Sequence, residues 1–409
     1  MDDPRIPEST QATPITRTIP RTPRTTSTEQ AALTAAAHTR QAEADRRLGP
    51  GTADAVTAAG FARHFVPPGW GGTGGGFADL VRRTAEVAEG CASAAWCGGL
   101  WAAHGRFAGF LPEEGQRDIW AVSPDVRIAA AVMPPSGTAV PARDGGGWWL
   151  RGEWDCASGV DHSAWVLLCA WEECEDGRRG RVFAVPAADV TVRDTWDSTG
   201  LRGTGSNTVV ADGVLVPAHR TFPLAALLHG DPDPAGPRYR TAPAQLAGGL
   251  IFCAPALGAA RQALRVWSRW AAGKATTGGR PQHDSASVRD TLARASAGID
   301  AARLLLDDAA RRADTGPVTE LAVARNRRDA AVAADLLVNA VERLFRTGGA
   351  HARDGAGELQ RLWRDVHTIA SHGVLRLEPA ADAYAAALFA EGEPVAVTGT
   401  GPGSPGCSP

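Results

Sequence analysis

The sequence lacks the features that would place the protein in a membrane, on a nucleic acid or in an oxidising compartment. No apolar run approaches the roughly 18 residues of a membrane helix, and the N-terminus is polar instead of forming a signal core. A net charge of −3 gives no electrostatic reason to expect a polyanionic partner. The seven cysteines include no CxxC pair, so we expect reduced thiols in a cytoplasmic protein.

Lysine is nearly absent as well, since Lys274 is the only one in 409 residues. We interpret the use of arginine in its place as the codon bias of a GC-rich genome, and not as a phosphate-binding device. A chain of this length can bury a large core and is expected to hold two or three domains.

What is present divides the chain into three parts of different character. An apolar residue every three or four positions predicts helices in the first and last parts, whereas the middle part shows short runs of β-formers between turns. We therefore expect an α+β multidomain fold, with an N-terminal helical domain, a central β-barrel or sandwich and a C-terminal four-helix bundle. The expected boundaries are 1–28 for a disordered tail, 29–126 for the helical domain, 127–228 for the β-domain, 229–240 for a linker, 241–391 for the bundle and 392–409 for a second disordered tail.

Four long segments of the bundle carry the helical spacing. They are expected at 241–273, 284–313, 316–346 and 358–391, with Gly- and Pro-rich breaks between them. In the last segment, His372 continues the inward stripe of Val366 and Ile369. We therefore expect His372 to lie on the last helix and to be wholly or partly buried.

The stretch from Trp148 to Ala170 suits a flat heteroaromatic ring with polar edges. Two runs of β-formers, 148–150 and 165–168, enclose the segment 154–159, which is too polar and too small to be core strand. A second segment at 200–206 combines glycines with hydroxyl groups. Glycines let the backbone approach a ring closely, and hydroxyls can bond its edges. We expect this ring to be a flavin.

The order of helices, strands and bundle, together with several motifs, resembles the acyl-CoA dehydrogenase superfamily over residues 30–390. The motifs that carry this resemblance are the turn Val66-Pro67-Pro68-Gly69-Trp70-Gly71-Gly72, the strand Gly152-Glu153-Trp154, and the pairs Gly348-Gly349 and Arg364-Asp365. Within the superfamily, the closer match is to the flavin-dependent monooxygenases of two-component systems, such as the hydroxylases of 4-hydroxyphenylacetate and of steroid-derived phenols. The segments that resemble this branch are 157–162, 200–206 and 364–372.

The carboxylate with which acyl-CoA dehydrogenases remove a proton is missing from both of its usual places. Counting from the Arg-Asp pair, the first place falls on Gly373, next to His372, and Asp365 is the only carboxylate in residues 362–376. The second place lies in the first bundle helix, but residues 237–283 contain no Asp or Glu. Without a positioned base, α,β-dehydrogenation loses its first step, so the sequence favours an oxygenase.

The resemblance implies three catalytic residues. Ser158 is expected beside flavin N5, where it would slow the loss of peroxide. His372 would steady a C4a-hydroperoxyflavin or take the proton of a phenol, and His104 would face the substrate. The structural alternatives are a strand turn at Ser158, a core histidine at His372 and a partly exposed helix histidine at His104.

The resemblance also implies a set of flavin contacts, three of which would act across a subunit interface. The residues expected to bind the cofactor are Trp154, Ser158, Gly159, Arg202, Thr204, Ser206, Arg280, Gly348, Gly349 and Asp365. Arg280 is expected to contact the flavin phosphates across a subunit interface, and Gly348 and Gly349 to let the neighbouring subunit's backbone approach the far end of the cofactor. For the glycines the alternative is a pair that only ends a helix. No spacing of His, Cys, Asp or Glu predicts a metal site.

Taken together, the resemblance implies the oxygenase component of a two-component flavin-dependent monooxygenase. It would take FADH₂ or FMNH₂ from a separate NAD(P)H:flavin reductase, react it with O₂, and hydroxylate an aromatic substrate through a C4a-hydroperoxyflavin. The family is typically homotetrameric. Alternatives on the same fold are the oxidation of an amine nitrogen or of sulfur, an acyl-CoA dehydrogenase, and a non-catalytic ligand binder.

Overall fold

The computed structural model describes residues 26–143, 145–174, 177–233, 236–274 and 281–390. Within these ranges the chain forms helices, then a sheet, then helices again, in the predicted order. No helix in the described ranges is long and apolar enough to cross a lipid bilayer.

Five helices form the N-terminal part, and the fourth lies at its centre. They are α1 (Ser27–Asp45), α2 (Pro50–Ala58), α3 (Phe77–Gly90), α4 (Ala92–Ala108) and α5 (Glu113–Trp120). The first helix begins with a capping box, in which Thr26 and Glu29 bond each other's backbone N–H groups. Helix α4 is rich in Ala and Gly, and all of its residues but Phe107 are buried. Small side chains allow other elements to pack closely against it on every side.

The middle part is a single mixed sheet of short and long strands. The strands are β1 (Ile128–Ala131), β2 (Thr138–Pro141), β3 (Gly147–Ala157), β4 (Trp165–Cys174), β5 (Gly177–Pro186), β6 (Thr191–Arg193), β7 (Asn207–Pro217) and β8 (Thr221–Pro223). Their order is β6-β7-β3-β2-β4-β5-β8, and β1 pairs in parallel with β4. Strand β4 has consecutive buried residues from Val166 to Ala170, because the N-terminal helices cover one face and the β-domain's own core covers the other.

One sequence expectation about this sheet is wrong. Residues 154–157 are strand, since β3 continues to Ala157 instead of ending before Trp154. The pairing of β3 with β7 shifts register between Trp154 and Ala157, which lets the polar residues Asp155 and Cys156 stay exposed on the strand. The small and polar composition of the segment therefore marks a strand irregularity and not a loop.

The last part consists of two short helices followed by the bundle. They are α6 (Leu224–His229), α7 (Arg238–Thr241), α8 (Ala244–Gly273), α9 (Ala286–Thr315), α10 (Glu320–Thr347), α11 (Gly349–Ala352), α12 (Glu358–Ala370) and α13 (Leu377–Ala390). Helix α8 packs against α3, α10 and α12, which explains why it carries no Asp or Glu. A Cβ on Gly258 would lie 2.0 Å from the carbonyl oxygen of Ala85, so only glycine permits the close crossing of α8 and α3.

The bundle and the N-terminal helices share one hydrophobic core, which runs from Ala31 to Leu375 along the chain. The predicted last helix, however, is not continuous. Helix α12 ends at Ala370, and α13 begins at Leu377 after a short 3₁₀ turn. Pro379 explains the break, because its ring would clash with the carbonyl of residue 375 in a continuous helix.

Candidate active site

The candidate site lies where the helical parts meet the sheet. Helix α4, the turn after β3, the loop 200–206 and the segment that follows α12 each contribute a side chain to it. The turn after β3 is fixed by Gly159, whose φ of 68° lies in the left-handed region. A Cβ at this position would lie 2.9 Å from the indole nitrogen of Trp101. Gly159 therefore lets α4 and the turn come together.

Three buried hydroxyls form a chain at this junction. The Oγ atoms of Ser158 and Ser206 are 2.7 Å apart, and Ser206 Oγ lies 2.7 Å from Thr204 Oγ1. Thr204 Oγ1 donates to the carbonyl oxygen of Leu201 at 2.9 Å. At the other end, the indole Nε1 of Trp96 donates to Ser158 Oγ at 3.0 Å. The three hydroxyl residues expose between 1% and 6% of their surface.

An aromatic cluster connects this chain of hydroxyls to His372. The imidazole of His372 stacks on the ring of Phe252 with centroids 3.9 Å apart, and Trp96 meets it edge-on at 5.8 Å. Trp96 and Phe252 are also in contact, at 5.2 Å. The indole of Trp96 therefore touches both predicted catalytic residues, Ser158 through its nitrogen and His372 through its ring.

The placement of His372 corrects the expectation from the sequence. The residue lies after the end of α12, in extended backbone, and caps the 3₁₀ turn that follows. It is half-buried, as expected. Its Nδ1 accepts the N–H of Val374 at 3.3 Å, so the proton of the neutral ring is on Nε2. Burial lowers the pKa of His372, which favours this neutral form.

His104 is buried on α4 and is held by the first strand. Its Nδ1 lies 2.9 Å from the carbonyl oxygen of Ile128, so Nδ1 carries the proton and Nε2 is left as an acceptor. Burial lowers the pKa of His104 to about 4. The structural alternative of a partly exposed histidine is wrong, since only 5% of the residue is accessible. A contact with substrate stays a prediction.

The Arg-Asp pair of α12 holds the loop 200–206 in place. Asp365 Oδ1 accepts the backbone N–H of Leu201 at 2.7 Å, and the guanidinium of Arg364 bonds the carbonyl of Thr199 and the carboxylate of Glu43. Leu201 has a φ of 50°, a conformation that costs a residue with a side chain about 1–2 kcal/mol. Asp365 therefore positions a strained loop, and burial raises the pKa of its carboxyl.

Several other predicted cofactor residues have structural roles. Arg202 bonds the carboxylate of Asp197 and the carbonyls of Ser198 and Glu43. Trp154 is buried in the β-domain, and its Nε1 donates to the carbonyl of Cys169 at 2.8 Å. These contacts anchor the loop and the sheet, and flavin contacts of the two residues stay predictions.

Two of the three residues expected to act across a subunit interface lie where α10 meets α11. Gly348 ends α10, and Gly349 begins α11 with a φ of 60° and nothing within 4 Å of an added Cβ. The alternative of a helix-ending pair thus describes their local role. Arg280 lies outside the described residues.

Sequence reasoning missed Phe252 and the contacts of Trp96 with Ser158 and His372. From the sequence, Trp96 and Trp101 could line an aromatic-substrate pocket, but a stripe of aromatic residues on a helix more often indicates core. Phe252 lies within the apolar helix α8 and carries no signal of its own. The contacts that bring both rings to His372 and Ser158 join distant parts of the chain, and no local spacing predicts them.

The chemistry of these residues fits a flavin. A hydroxyl oxygen can make three hydrogen bonds, and Ser158 makes two, which leaves one lone pair for the polar edge of a ring. Beside it, the buried indole nitrogen of Trp101 has no hydrogen-bond partner in the part of the chain that the structure describes. A buried donor without a partner costs about 1–3 kcal/mol, and it is accounted for if a polar ligand binds next to it.

Comparison with known proteins assigns a family to this geometry. Residues 250–376 match the model of the acyl-CoA dehydrogenase C-terminal domain. The chain is 32% identical over 356 residues to the oxygenase component of the FADH₂-dependent resorcinol hydroxylase of Rhizobium sp. strain MTP-10005, covering 81% of this chain and 86% of the relative. It is 30% identical to the oxygenase subunit HsaA, a flavin-dependent monooxygenase of Rhodococcus jostii strain RHA1, over 79% of this chain and 86% of that protein.

A solved structure confirms the predicted architecture. XiaF from Streptomyces sp., solved with FADH₂ and glycerol, superposes with a TM-score of 0.82 and 28% identity, covering 89% of this chain and 94% of XiaF. The likeness extends over the helical domain, the sheet and the bundle, as expected for an acyl-CoA dehydrogenase-like fold.

Proposed function

The chain belongs to the flavin-dependent monooxygenases that share the acyl-CoA dehydrogenase fold, and we propose that it hydroxylates a small aromatic substrate, a phenol or polyketide-like ring. It is the oxygenase component of a two-component system and uses reduced flavin and O₂. The observation that carries the proposal is the contact of one indole, Trp96, with both Ser158 and His372 at the junction of sheet and helices.

The position of Asp365 supports an oxygenase over a dehydrogenase. Asp365 is the only carboxylate in residues 362–376, and its Oδ1 accepts the backbone N–H of Leu201. It is therefore engaged in holding a loop and does not serve as a base. Helix α8, which would supply the alternative base, contains no carboxylate.

The chain's own residues would orient the cofactor and place one hydrogen-bond donor at the reacting centre. When bound, the reduced flavin supplies two electrons, so that one atom of O₂ enters the substrate and the other leaves as water. The Trp96 N–H holds the Ser158 hydroxyl, whose remaining lone pair would accept a hydrogen bond from the polar edge of the bound flavin. His372 donates through Nε2–H at the site of oxygen transfer. The burial of α4 excludes water from this junction.

The partners follow from the family. The resorcinol hydroxylase relative is named as FADH₂-dependent, and we propose FADH₂ over FMNH₂ as the form delivered by a separate NAD(P)H:flavin reductase. The cysteines that the structure describes are free thiols, which supports a reducing compartment such as the cytoplasm.

A homotetramer is supported by the exposure of the last helix. Of the residues of α13 only Ala380 is buried, whereas Leu377 and Phe389 expose 44% and 71% of their surface. We propose that these exposed apolar side chains are covered in the assembly. Arg280 is proposed to contact flavin phosphates across the interface, and Gly348 and Gly349 to let the neighbouring subunit's backbone approach the far end of the cofactor.

An oxygen-labelling experiment tests the function. The protein is combined with FAD, NADH, a flavin reductase from another source and a panel of phenols that includes resorcinol, under ¹⁸O₂. We expect one labelled oxygen atom in a hydroxylated product, detected by mass spectrometry.

Peroxide without labelled product from every aromatic compound would contradict the proposal. Anaerobic reduction of protein-bound oxidised FAD by an acyl-CoA would show a dehydrogenase instead.

A further inference from the structure

The hydroxyl chain at the junction ends on a carbonyl oxygen, and this end sets the direction in which we assign its hydrogen bonds. The carbonyl oxygen of Leu201 can only accept, and it receives the backbone N–H of Thr204, the indole N–H of Trp196 and, at 2.9 Å, the hydroxyl proton of Thr204. Thr204 then accepts from Ser206, because the two oxygens are 2.7 Å apart and the proton of Thr204 is already used. By the same reasoning Ser206 accepts from Ser158.

The other end of the chain agrees with this direction. An indole N–H can only donate, and Trp96 Nε1 gives its proton to Ser158 Oγ at 3.0 Å. Ser158 thus receives one hydrogen bond and donates one. Its proton is committed to Ser206, and a single lone pair remains. Because the three hydroxyls are almost fully buried, water does not compete for these protons.

We propose that this chain of hydroxyls makes Ser158 an acceptor only, and thereby selects reduced flavin over oxidised flavin. The inference rests on the proposed placement of Ser158 beside flavin N5. In reduced flavin N5 carries a hydrogen and donates to the free lone pair of Ser158. In oxidised flavin N5 is itself an acceptor, so two lone pairs face each other. Ser206 and Thr204 are positioning residues in this device, since they act on the flavin through Ser158.

This selection suits an enzyme that receives its flavin from another protein. The reduced form arrives and must be held, whereas the oxidised form must leave after the reaction. A protein that bound both forms equally well would be blocked by the oxidised flavin present in solution.

The test measures the dissociation constants of oxidised and reduced FAD separately on the full-length protein, the latter by anaerobic titration. In Ser206→Ala the proton of Ser158 loses its acceptor and becomes free to donate to oxidised N5. We expect the ratio of the two constants, oxidised over reduced, to fall on the order of five- to tenfold. The midpoint potential of bound FAD should become more negative by about 30 mV for a tenfold change.

A second variant should also free the proton of Ser158, but without removing Ser206. Thr204→Val keeps the shape of the side chain but deprives Ser206 of its acceptor, so that Ser206 can turn and donate to Ser158. The ratio of the dissociation constants, oxidised over reduced, should fall in this variant as well. Ser163→Ala is the matched control, because its hydroxyl donates to the carbonyl of Gly159 and lies outside the chain. Its ratio should equal that of the unmodified protein.

Ser158→Ala distinguishes the placement of Ser158 beside the flavin from the selection of reduced flavin by the hydroxyl chain. It should weaken binding of reduced FAD and leave oxidised FAD almost unchanged. If Ser158→Ala alters neither constant, Ser158 does not contact the flavin, and its proposed placement fails. If Ser158→Ala acts as expected but Ser206→Ala and Thr204→Val keep the original ratio, the placement stands and the selection by the hydroxyl chain is wrong.

Discussion

At the scale of single residues, the imidazole of His372 is set up as a donor. Val374 occupies Nδ1 with its N–H, so the neutral ring offers the proton on Nε2. To act as a base through Nε2, the ring would have to move its proton to Nδ1 and lose the bond from Val374. The structure therefore favours hydrogen-bond donation over proton abstraction from a phenol.

Replacing His372 tests this role. In His372→Ala we expect O₂ consumption to continue with peroxide as the main product, and the rate of product formation to fall on the order of 10²-fold, because a donor at the reacting centre is lost. His372→Gln, whose amide can donate, should recover part of the coupling. Product and peroxide are quantified per O₂ consumed.

The matched control is His367→Ala on the same segment. His367 is half-buried, and its Nδ1 bonds the carbonyl of Trp363 at 2.8 Å. Its removal should leave the product-to-O₂ ratio unchanged. An unchanged ratio in His372→Ala would show that another residue has the catalytic role.

His104 predicts a dependence of stability on pH. Burial lowers its pKa to about 4 in the folded protein, whereas an unfolded histidine titrates near 6.5. Its contribution is therefore fully present above about pH 6.5 and is lost as the pH falls towards 4. The difference corresponds to about 3 kcal/mol. In His104→Asn, whose amide can still donate to Ile128, the free energy of unfolding should depend less steeply on pH in this window.

Urea unfolding between pH 4 and pH 8 measures this dependence. His38→Asn is the control, since His38 is exposed and also bonds a backbone carbonyl. A slope in His104→Asn equal to that of the unmodified protein would mean that His104 is not buried in its neutral form. His64, whose pKa burial also lowers, should retain part of the slope in every variant.

At the scale of elements, the contact between α12 and the loop 200–206 keeps the hydroxyls of that loop in register with Ser158. In Asp365→Ala the buried N–H of Leu201 loses its acceptor, and we expect a loss of about 1–3 kcal/mol in the free energy of unfolding together with weaker binding of reduced FAD. Asp365→Asn retains an acceptor oxygen and should lose less of both. Urea unfolding and anaerobic FAD titration are the two measurements.

An exposed carboxylate with a similar bond provides the comparison. Asp354 Oδ1 accepts the backbone N–H of Ala356 at 3.1 Å on the surface, so Asp354→Ala should change neither quantity appreciably. Equal behaviour of Asp365→Ala and the unmodified protein would show that the loop keeps its shape without α12.

The helices also show how much of the structure can be predicted from the sequence. Apolar spacing predicted bundle helices at 241–273, 284–313 and 316–346, close to the observed α8, α9 and α10, because the periodicity fixes the face that is buried. The split between α12 and α13 was missed although Pro379 signals it, since the stripe of apolar residues continues up to the break. Ser158 and His372 were found through motif resemblance, but Trp96 depends on long-range packing that spacing does not encode.

At the scale of the whole molecule, α13 predicts the assembly. In Phe389→Asp a charge would be placed on a face that the proposed homotetramer covers, at a high desolvation cost. We expect a smaller oligomer by light scattering coupled to gel filtration. Val122→Asp is the control, because Val122 is 99% exposed on the N-terminal part. Its mass should be that of the unmodified protein. An undiminished mass in Phe389→Asp would assign the interface to another face.

The first helices and the bundle share one apolar interior, and a cut between them would expose it. The segment recognised by the family model, residues 250–376, includes most of α8, whose inward side is covered by α3 from far earlier in the chain. A fragment beginning at residue 244 would leave that alanine-lined side in water and would aggregate instead of refolding. The stretch that matches the family model is thus smaller than the piece that we expect to fold on its own.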